Sequence, residues 1–481
     1  MFKLSQIVIA GLLVQLSGCA VDVTRQDGEK AFAAIPALSA EEAYFDTNTA
    51  PQGNWWQLYN DAALNQIVSE ALQANKDLSA AEANLKRSRS VLQEVDARRL
   101  PGTDINGGVS YGDGIPATGM SIGDTQLTQY GTFSVSWEAD LFGRVSAAIN
   151  AANADVATVQ AARDSVRITV AAETTRAYLN ACSYAFSLTV AEQSLAASQE
   201  QLWLVAAMEQ AGSAVQADIE RAKGVVASAR ADIPLLTAQH RNALIQLAAL
   251  MGRTPDNIPA AASECEAPPQ MSAVLPVGDA QSMLRRRPDL RQAEMQLKAE
   301  AARMDIAIAD MYPQISLGAG LNYFNSEAIS TSDAFSFSLG PLISWRFPNQ
   351  QQTRARIRQA EAQQEMVFAQ LEGAVLNALS EVEQALQNVV AQRQREAALQ
   401  SAMAAYERAF DMTQTRYQAG ASSYLDVLTA QQDWLTARAS HAASLQQLTA
   451  QRVTLFKALG GGWEQDNTPQ NESTLSLTSS R

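Results

Sequence analysis

Two stretches almost free of glycine and proline constrain this sequence of 481 residues most strongly. Residues 145–211 and 350–419 are rich in Ala, Gln, Glu and Arg, a composition that favours helix. A helix of about 67 residues is roughly 100 Å long, which is too long for a compact globule. Each run breaks at Ala-Gly and returns through a second helical segment that ends near Gly252 or Gly460. We therefore expect long helical hairpins that pack side by side, as helices do in coiled coils.

The chain also repeats itself. Residues 72–108 are identical to residues 284–320 at ten of 37 positions, and the matches include Asp, Pro and Gly. A slightly shorter shift of 208 positions then pairs Gly212 with Gly420, and Asp218 with Asp426, in the later parts of the chain. Because unrelated sequence gives far fewer matches, we interpret the chain as two copies of one unit of about 200 residues.

Each copy contains two segments with the alternation of a β-strand. In the first copy they follow a helical stretch, from about 61 to 100, that ends at Pro101. The second copy alternates most clearly, with the apolar residues Ile315, Leu317, Ala319, Leu321, Tyr323, Phe335, Phe337 and Leu339 on one face. Strands of about ten residues with this alternation are typical of membrane β-barrels, although a soluble hairpin would show the same pattern.

Four strands per chain cannot close a barrel, because the smallest known barrels have about eight strands. In lipid, an open sheet edge would leave backbone groups without hydrogen bonds, at several kcal/mol each. If these strands lie in a membrane, the chain must share its barrel with copies of itself.

The N-terminus has the layout of a bacterial secretion signal. Lys3 precedes an apolar stretch, residues 7–16, that is too short to span a bilayer as a helix. The following Ser17, Gly18 and Cys19 are similar to a lipobox, so Cys19 is predicted to carry a covalent lipid and to begin the mature chain. An ordinary signal peptide with an incidental cysteine is the alternative. The rest of the chain has no run of 18 apolar residues, so no transmembrane helix is predicted.

These observations predict six consecutive parts. The boundaries are 1–18 for the signal peptide, 19–60 for a lipid-anchored segment, 61–252 for the first repeat, 253–278 for a Pro-rich linker, 279–461 for the second repeat and 462–481 for a polar tail.

Composition and motifs argue against several classes of function. A net charge of -14 offers no basic field to replace phosphate counterions, so no nucleic-acid partner is expected. The two histidines, His240 and His441, are too few for a His-rich metal site. The sequence contains no P-loop, no zinc-ligand spacing and no Gly-x-Ser-x-Gly, so we expect neither an enzyme nor a cofactor. Cys182 and Cys265 could pair in an oxidising compartment, but the sequence alone favours two unpaired thiols.

Four segments resemble the TolC-type outer-membrane factors of efflux and secretion systems, and specifically their lipoprotein branch, which is OprM-like and NodT-like. The segments occur in order within the repeat. They are NWWQLYNDAALNQIVSEALQANKDLSAAEANL at 54–85, SWEADLFGR at 136–144, LRRRPDLRQAEMQL at 284–297 and RYQAGASSYLDVLTAQ at 416–431. The resemblance covers nearly the whole mature chain.

The resemblance implies a mixed α and β membrane protein that forms a homotrimer. Twelve strands, four from each chain, would form one outer-membrane β-barrel, and the long helices would continue it as a periplasmic α-helical barrel. The implied partners are a periplasmic adaptor and an inner-membrane pump, usually proton-driven, that exports drugs or other small molecules. A secreted protein or a metal ion is an alternative cargo, and a lipid-anchored coiled-coil scaffold is an alternative function.

The same resemblance implies roles for residues near the helix breaks. Gly212 and Gly420, with Arg416 and Ser423, are expected to form periplasmic tips that contact the adaptor. Asp218 and Asp426 follow the tip glycines by six residues and are expected to supply a gate of six carboxylates in a trimer. The alternatives are that the glycines only form a turn and that the aspartates only favour the first turn of their helices.

Overall fold

The computed structural model describes residues 23–33, 35–41, 43–114, 121–271, 274–326 and 334–461. The predicted signal peptide, Cys19 and the predicted tail lie outside these ranges. The chain divides into two compact units. The first unit contains Ala81–Arg163 and Pro288–Leu376 with the residues before Ile35, and the second contains Ile35–Ala80, Asp164–Arg287 and the residues from Asn377 onward.

The helices and strands follow the same order in both halves of the chain. The first half contains β1 (Phe45–Asp46), α1 (Ala62–Ala74), α2 (Lys76–Asp96), β2 (Gly102–Gly114), β3 (Ser121–Ala139), α3 (Arg144–Gln210) and α4 (Gln216–Leu250). The linker contains α5 (Ala260–Ser263) and β4 (Leu275–Pro276). The second half contains α6 (Ala280–Arg286), α7 (Pro288–Ala309), β5 (Gln314–Asn325), β6 (Phe335–Ser344), α8 (Gln351–Gln418) and α9 (Tyr424–Ala458).

The two long helices predicted from the sequence are confirmed. The helix α3 has 67 residues and α8 has 68, and each ends within one residue of the predicted break. Few residues that disfavour helix interrupt them, so backbone hydrogen bonds continue from turn to turn. In the described part of the chain, none of the helices combines the length and the apolar character needed to cross a membrane.

The first helical stretch of each half is broken, whereas the sequence predicted one continuous helix in the first half. Asn75 lies between α1 and α2, where its side-chain oxygen accepts a hydrogen bond of 3.0 Å from the Leu78 amide. Its side-chain nitrogen donates to the Leu250 carbonyl at the end of α4, at 2.9 Å. In the second half, Pro288 begins α7 at the position where a missing backbone N–H is tolerated. The side-chain cap at Asn75 therefore divides the stretch in the first half, and Pro288 divides the stretch in the second half.

Four strands of the first unit form one antiparallel sheet in the order β2, β3, β5, β6. The register places Ile105 opposite Phe133, Phe133 opposite Leu321, and Leu321 opposite Phe337. One row of apolar side chains thus crosses all four strands, because residues directly opposite each other on neighbouring strands point to the same face. The sheet has the alternation that the sequence predicted.

The second unit has an aromatic core that holds the N-terminal segment. Trp55 is fully buried, and its ring stacks on that of Phe456 with centroids 4.9 Å apart. The short strand β1 pairs in parallel with β4 of the linker. Tyr178 of α3 donates a hydrogen bond of 2.8 Å to Asp61, which also caps α1. These contacts join the N-terminal segment and the linker to the helices of this unit.

The structure corrects the expectation of two unpaired thiols. Cys182 of α3 and Cys265 of the linker form a disulfide, with sulfur atoms 2.06 Å apart. The cysteines are 83 positions apart in the sequence, yet the fold brings their Cα atoms to 5.1 Å. Sequence separation gave no indication of this approach, because it depends on how the linker packs on the helix.

Candidate functional site

One face of the four-stranded sheet is apolar and uncovered. Phe337 is 86% exposed and Ile105 is 79% exposed. The other exposed apolar side chains of this face are Val109, Tyr111, Leu127, Phe133, Leu317, Leu321, Phe335, Leu339 and Ile343. Soluble proteins seldom expose a contiguous patch of this kind, so the face is suited to lipid. The alternate residues on the opposite face are mainly Ser, Gly, Asn and Thr.

Two tryptophans mark the end of the sheet at which the strands meet the helices. The indole nitrogen of Trp137 donates to the carbonyl of Arg99 at 2.9 Å, and that of Trp345 donates to the carbonyl of Met311 at 3.0 Å. Each ring remains about two-fifths exposed. An exposed ring with a bonded N–H is typical of tryptophan at a membrane interface. The sequence assigns no contact to either indole, although Trp137 ends an alternating segment and Trp345 directly follows β6.

The SWEADLFGR segment holds the junction between strand β3 and helix α3. One Asp140 oxygen accepts a hydrogen bond from the Val145 amide at 2.9 Å, and the other accepts one from the Ser146 amide at 2.9 Å. Glu138 forms an ion pair with Arg144 at the first residue of the helix. These bonds satisfy amides at the start of α3 and let the helix begin directly after the strand. The sequence identified this segment only by resemblance and gave no role to its residues.

The predicted tip glycines form the turns between the long helices and their partners. Gly212 has a φ of 75° and Gly420 a φ of 72°, a left-handed conformation that glycine adopts without strain. The Ser213 amide donates to the Met208 carbonyl and the Ala421 amide to the Arg416 carbonyl, each at 2.8 Å. This is the bonding of a Schellman turn. A Cβ at either glycine would meet nothing within 4 Å, so the tips have open space around them.

The predicted gate aspartates are in the first turns of α4 and α9. Asp426 accepts hydrogen bonds from the Ser423 amide at 2.9 Å and from the Ser423 hydroxyl at 2.8 Å. The Ser423 amide and hydroxyl hold the pKa of Asp426 below its usual value. Asp218 accepts a longer bond, 3.4 Å, from the Val215 amide and pairs with Arg221. Both aspartates therefore cap helices, which is the role named as the alternative to a gate.

A small apolar core joins the two hairpins within the second unit, close to the tips. It contains the buried residues Val205, Ala222, Phe410, Tyr424, Val427 and Leu428. The rings of Tyr417 and Tyr424 are 5.8 Å apart, and the Tyr417 hydroxyl lies 3.3 Å from the Met208 sulfur. Burial, followed by the nearby Tyr417 and Asp218, raises the pKa of Tyr424 to about 12. Both tyrosines flank the tip in the sequence, but their packing could not be inferred from it.

The N-terminal segment lies along helix α8 in each unit. In the first unit, the Thr24 amide donates to Glu361 at 3.1 Å, and Arg25 pairs with Asp305 of α7. In the second unit, the Ser39 amide donates to Glu383 at 2.9 Å. Successive residues of the segment thus contact successive positions of the helix.

The described residues contain no cluster of three or more His, Cys, Asp or Glu side chains that could hold a metal ion. A sheet with an apolar, exposed face, whose strands lead straight into long helical hairpins, defines an outer-membrane channel protein. The chain belongs to the outer membrane efflux protein family, whose model matches residues 67–253 and 280–461.

Known proteins agree with this assignment. The chain is 29% identical to the pyoverdine export outer membrane protein OpmQ of Pseudomonas aeruginosa over 86% of its length and 88% of the relative. It is 30% identical to the solvent efflux pump outer membrane protein SrpC of Pseudomonas putida, over 85% and 87% of the two chains. The solved structure of the outer-membrane channel OprN is similar, with a TM-score of 0.80, 28% identity and coverage of 92% of this chain and 98% of that one.

The protein is therefore the outer-membrane channel component of a tripartite efflux system, and it extends into the periplasm. Members of the family are trimeric transport ducts that act with an adaptor and an inner-membrane pump. They are not enzymes and need no cofactor.

Proposed function

We propose that three copies of this chain form a passive exit duct in which twelve strands close one barrel and the long helices line a tunnel. The main support is the two unpaired edges of the sheet. In the described part of the chain, β2 and β6 each have a neighbouring strand on one side only. Adjacent strands are antiparallel, so β6 of one copy can pair antiparallel with β2 of the next. Closure would satisfy the edge backbone groups, which lipid cannot do.

An internal duplication accounts for the similar halves. The helix α9 (Tyr424–Ala458) begins and ends 208 residues after α4 (Gln216–Leu250). Trp345 also lies 208 residues after Trp137, and each donates to a carbonyl that precedes the first strand of its own half. These equivalences support two repeats, 61–252 and 279–461, joined by the linker 253–278. In a trimer, six such units would surround the duct.

A lipid on Cys19 would anchor the N-terminal segment beside the barrel. Thr24 contacts Glu361, which lies within about three turns of the start of α8 and hence close to the end of β6. The segment then continues along the helix away from the strands. This path supports an anchor in the inner leaflet, because Cys19 precedes Thr24 by only five residues.

The hairpin tips would meet the periplasmic adaptor. The turns at Gly212 and Gly420 are surrounded by open space, and Arg416 and Ser423 flank the second turn. Asp218 and Asp426 would add six carboxylates to the narrow end of the tunnel in a trimer, while they also cap their helices. The adaptor would connect this end to an inner-membrane pump, and a proton-driven pump would supply the energy.

The cargo we propose is a set of small organic molecules. Two of the relatives export different compounds by name, pyoverdine in one and solvent in the other, which supports selection of cargo by the partner pump. A secreted protein or a metal ion remains the alternative cargo. The test of the duct itself is the current through purified protein in planar bilayers. Stepwise currents from trimers are expected, and a protein that gives no pores would refute a duct and favour a scaffold.

A further inference from the structure

The small-residue face of the sheet carries one pair of aromatic side chains. Tyr130 of β3 and Phe324 of β5 are partners in the antiparallel register. Both have even-numbered positions, so they point away from the exposed apolar face that carries Phe133 and Leu321. At the strand positions described for this face, the other side chains are non-aromatic, and most are Ser, Gly, Asn or Thr. Among the strand positions described for this face, the pair is therefore the bulkiest feature.

The tyrosine ring lies flat against the sheet because its other neighbour is a glycine. Gly108 of β2 is the register partner of Tyr130 on the opposite side from Phe324. A Cβ at Gly108 would lie 2.7 Å from the Tyr130 hydroxyl oxygen and 2.8 Å from two of its ring carbons. No side chain could share this space with the ring in its present position. The three register partners thus form one row across the sheet: Gly108, Tyr130 and Phe324. In this row the two aromatic rings cover the backbone of the sheet.

The row lies beside a covered part of the same face. Thr128, the next residue of β3 on this face, is fully buried, and Gln126 beyond it is also buried. The Thr128 hydroxyl lies 3.3 Å from the hydroxyl of Ser110, its register partner on β2. Toward the junction with the helices, by contrast, Ser134 and Ser136 are exposed. Tyr130 and Phe324 therefore stand at the boundary between the open and the covered parts of this surface.

We propose that Tyr130 and Phe324 form an aromatic belt inside the barrel, to which aromatic molecules bind briefly as they leave. Gly108 lets the Tyr130 ring lie against the sheet, so that the ring does not narrow the channel. This inference rests on the proposed trimeric barrel, where three copies would place six rings at one level. Aromatic faces attract flat rings and organic cations, whereas the surrounding serines, glycines and asparagines do not. The belt selects by ring contact and needs no charged residue.

The first test uses single-trimer currents with two blockers of equal charge and similar size, benzyltrimethylammonium and its cyclohexylmethyl analogue. Wild-type trimers should bind the aromatic ion roughly two- to fivefold more tightly than the aliphatic one, because the ammonium is common to both ions and only the benzyl ring can stack on the aromatic side chains. The preference should disappear when Tyr130→Leu and Phe324→Leu are combined. It should persist in Tyr111→Leu, because Tyr111 belongs to the exposed apolar face. Equal block by both ions in wild type, or a preference retained in the double variant, overturns the belt.

The second test uses the space above Gly108. Gly108→Ala should displace the Tyr130 ring from the sheet into the channel and so lower the open-state conductance. Gly108→Ala combined with Tyr130→Ala should restore the conductance. Gly112→Ala is the matched control, because a Cβ there meets nothing within 4 Å. An unchanged conductance in Gly108→Ala, or the same loss with and without the tyrosine, contradicts the role of Gly108. If wild-type protein gives no pores at all, the proposed barrel is contradicted, and the proposed belt is contradicted with it.

Discussion

The disulfide between Cys182 and Cys265 joins the long helix α3 to the linker between the two halves. The loop that it closes contains the tip at Gly212 and the whole of α4. Val390 occupies the position of Cys182 in the second half, so the second hairpin has no equivalent bond. The two hairpins, which share length and order, therefore differ in covalent constraint.

Removal of this disulfide should destabilise the protein. In the chain-entropy model, a loop of 83 residues contributes about 4 to 5 kcal/mol, because the bond restricts the unfolded chain. Cys182→Ala combined with Cys265→Ala should lower the melting temperature measured by circular dichroism. Wild-type protein treated with reductant should shift in the same direction, and the variant should not respond to reductant. Equal melting temperatures for variant and wild type would contradict this expectation.

Substitution of Cys19 tests the lipid anchor separately from the barrel. Cys19→Ser should abolish labelling by radioactive palmitate, because the thiol that would accept the lipid is removed. Trimers should still assemble in the outer membrane, since the strands supply their own attachment. Gel electrophoresis of labelled cells measures both properties. Labelling that persists in the variant would rule out the assignment.

The tips can be tested by side-chain size. Gly420→Ala should cost about 1 to 2 kcal/mol, because only the left-handed backbone of the turn opposes it. Gly420→Trp should carry the same backbone cost and in addition weaken adaptor binding, since its ring must project into the open space. The pair of variants at Gly212 should behave alike. Binding can be measured by surface plasmon resonance with purified adaptor. Equal binding by the Ala and Trp variants would show that the glycines only form a turn and do not lie in the adaptor contact.

Neutral substitutions separate the gate from the helix caps. Asp218→Asn with Asp426→Asn should reduce cation selectivity and divalent-cation block in single trimers, because six negative charges are lost. Thermal stability should fall only slightly, since an asparagine side chain can still accept the capping bonds but lacks the charge that strengthens them. Glu220→Gln, one turn from the start of α4, removes one charge per chain, as Asp218→Asn alone does, and should have less effect than that single variant. Unchanged selectivity with a lower melting temperature would show that the aspartates act as caps alone.

The cap at Asp426 should also depend on pH. Its pKa is lowered in the folded chain, so its contribution is present above the unfolded value, about 4, and is lost as pH falls through the folded value. Amide hydrogen exchange in the first turn of α9 should therefore accelerate relative to mid-helix amides in strong acid. Asp426→Asn should remove this pH dependence, and an identical profile in both proteins would disprove it.

The sequence predicts the parts of this fold that depend on local chemistry. The near absence of glycine and proline predicts α3 and α8, and the alternation around Leu317 and Phe337 predicts strands with one apolar face. Gly212 and Gly420 mark the turns because each must adopt a left-handed backbone. The family follows from four segments in a fixed order.

Contacts between distant residues could not be predicted in the same way. The break at Asn75 depends on a carbonyl of Leu250, which is remote in the sequence. The disulfide depends on the packing of the linker, and the role of Asp140 depends on an immediate start of α3 after the strand. The belt needs the strand register, because only pairing shows that Gly108 lies beside Tyr130.

The strand pair β2–β3 extends farther from the helices than the pair β5–β6 does. The strand β3 has 19 residues, whereas β6 has ten, and Ser121–Thr128 continue past the last pairing of β3 with β5. In a threefold assembly, the ladder of the first pair would rise above that of the second three times around the circumference. The backbone hydrogen bonding of the first pair would thus extend farther from the helices than the bonding described for the second pair.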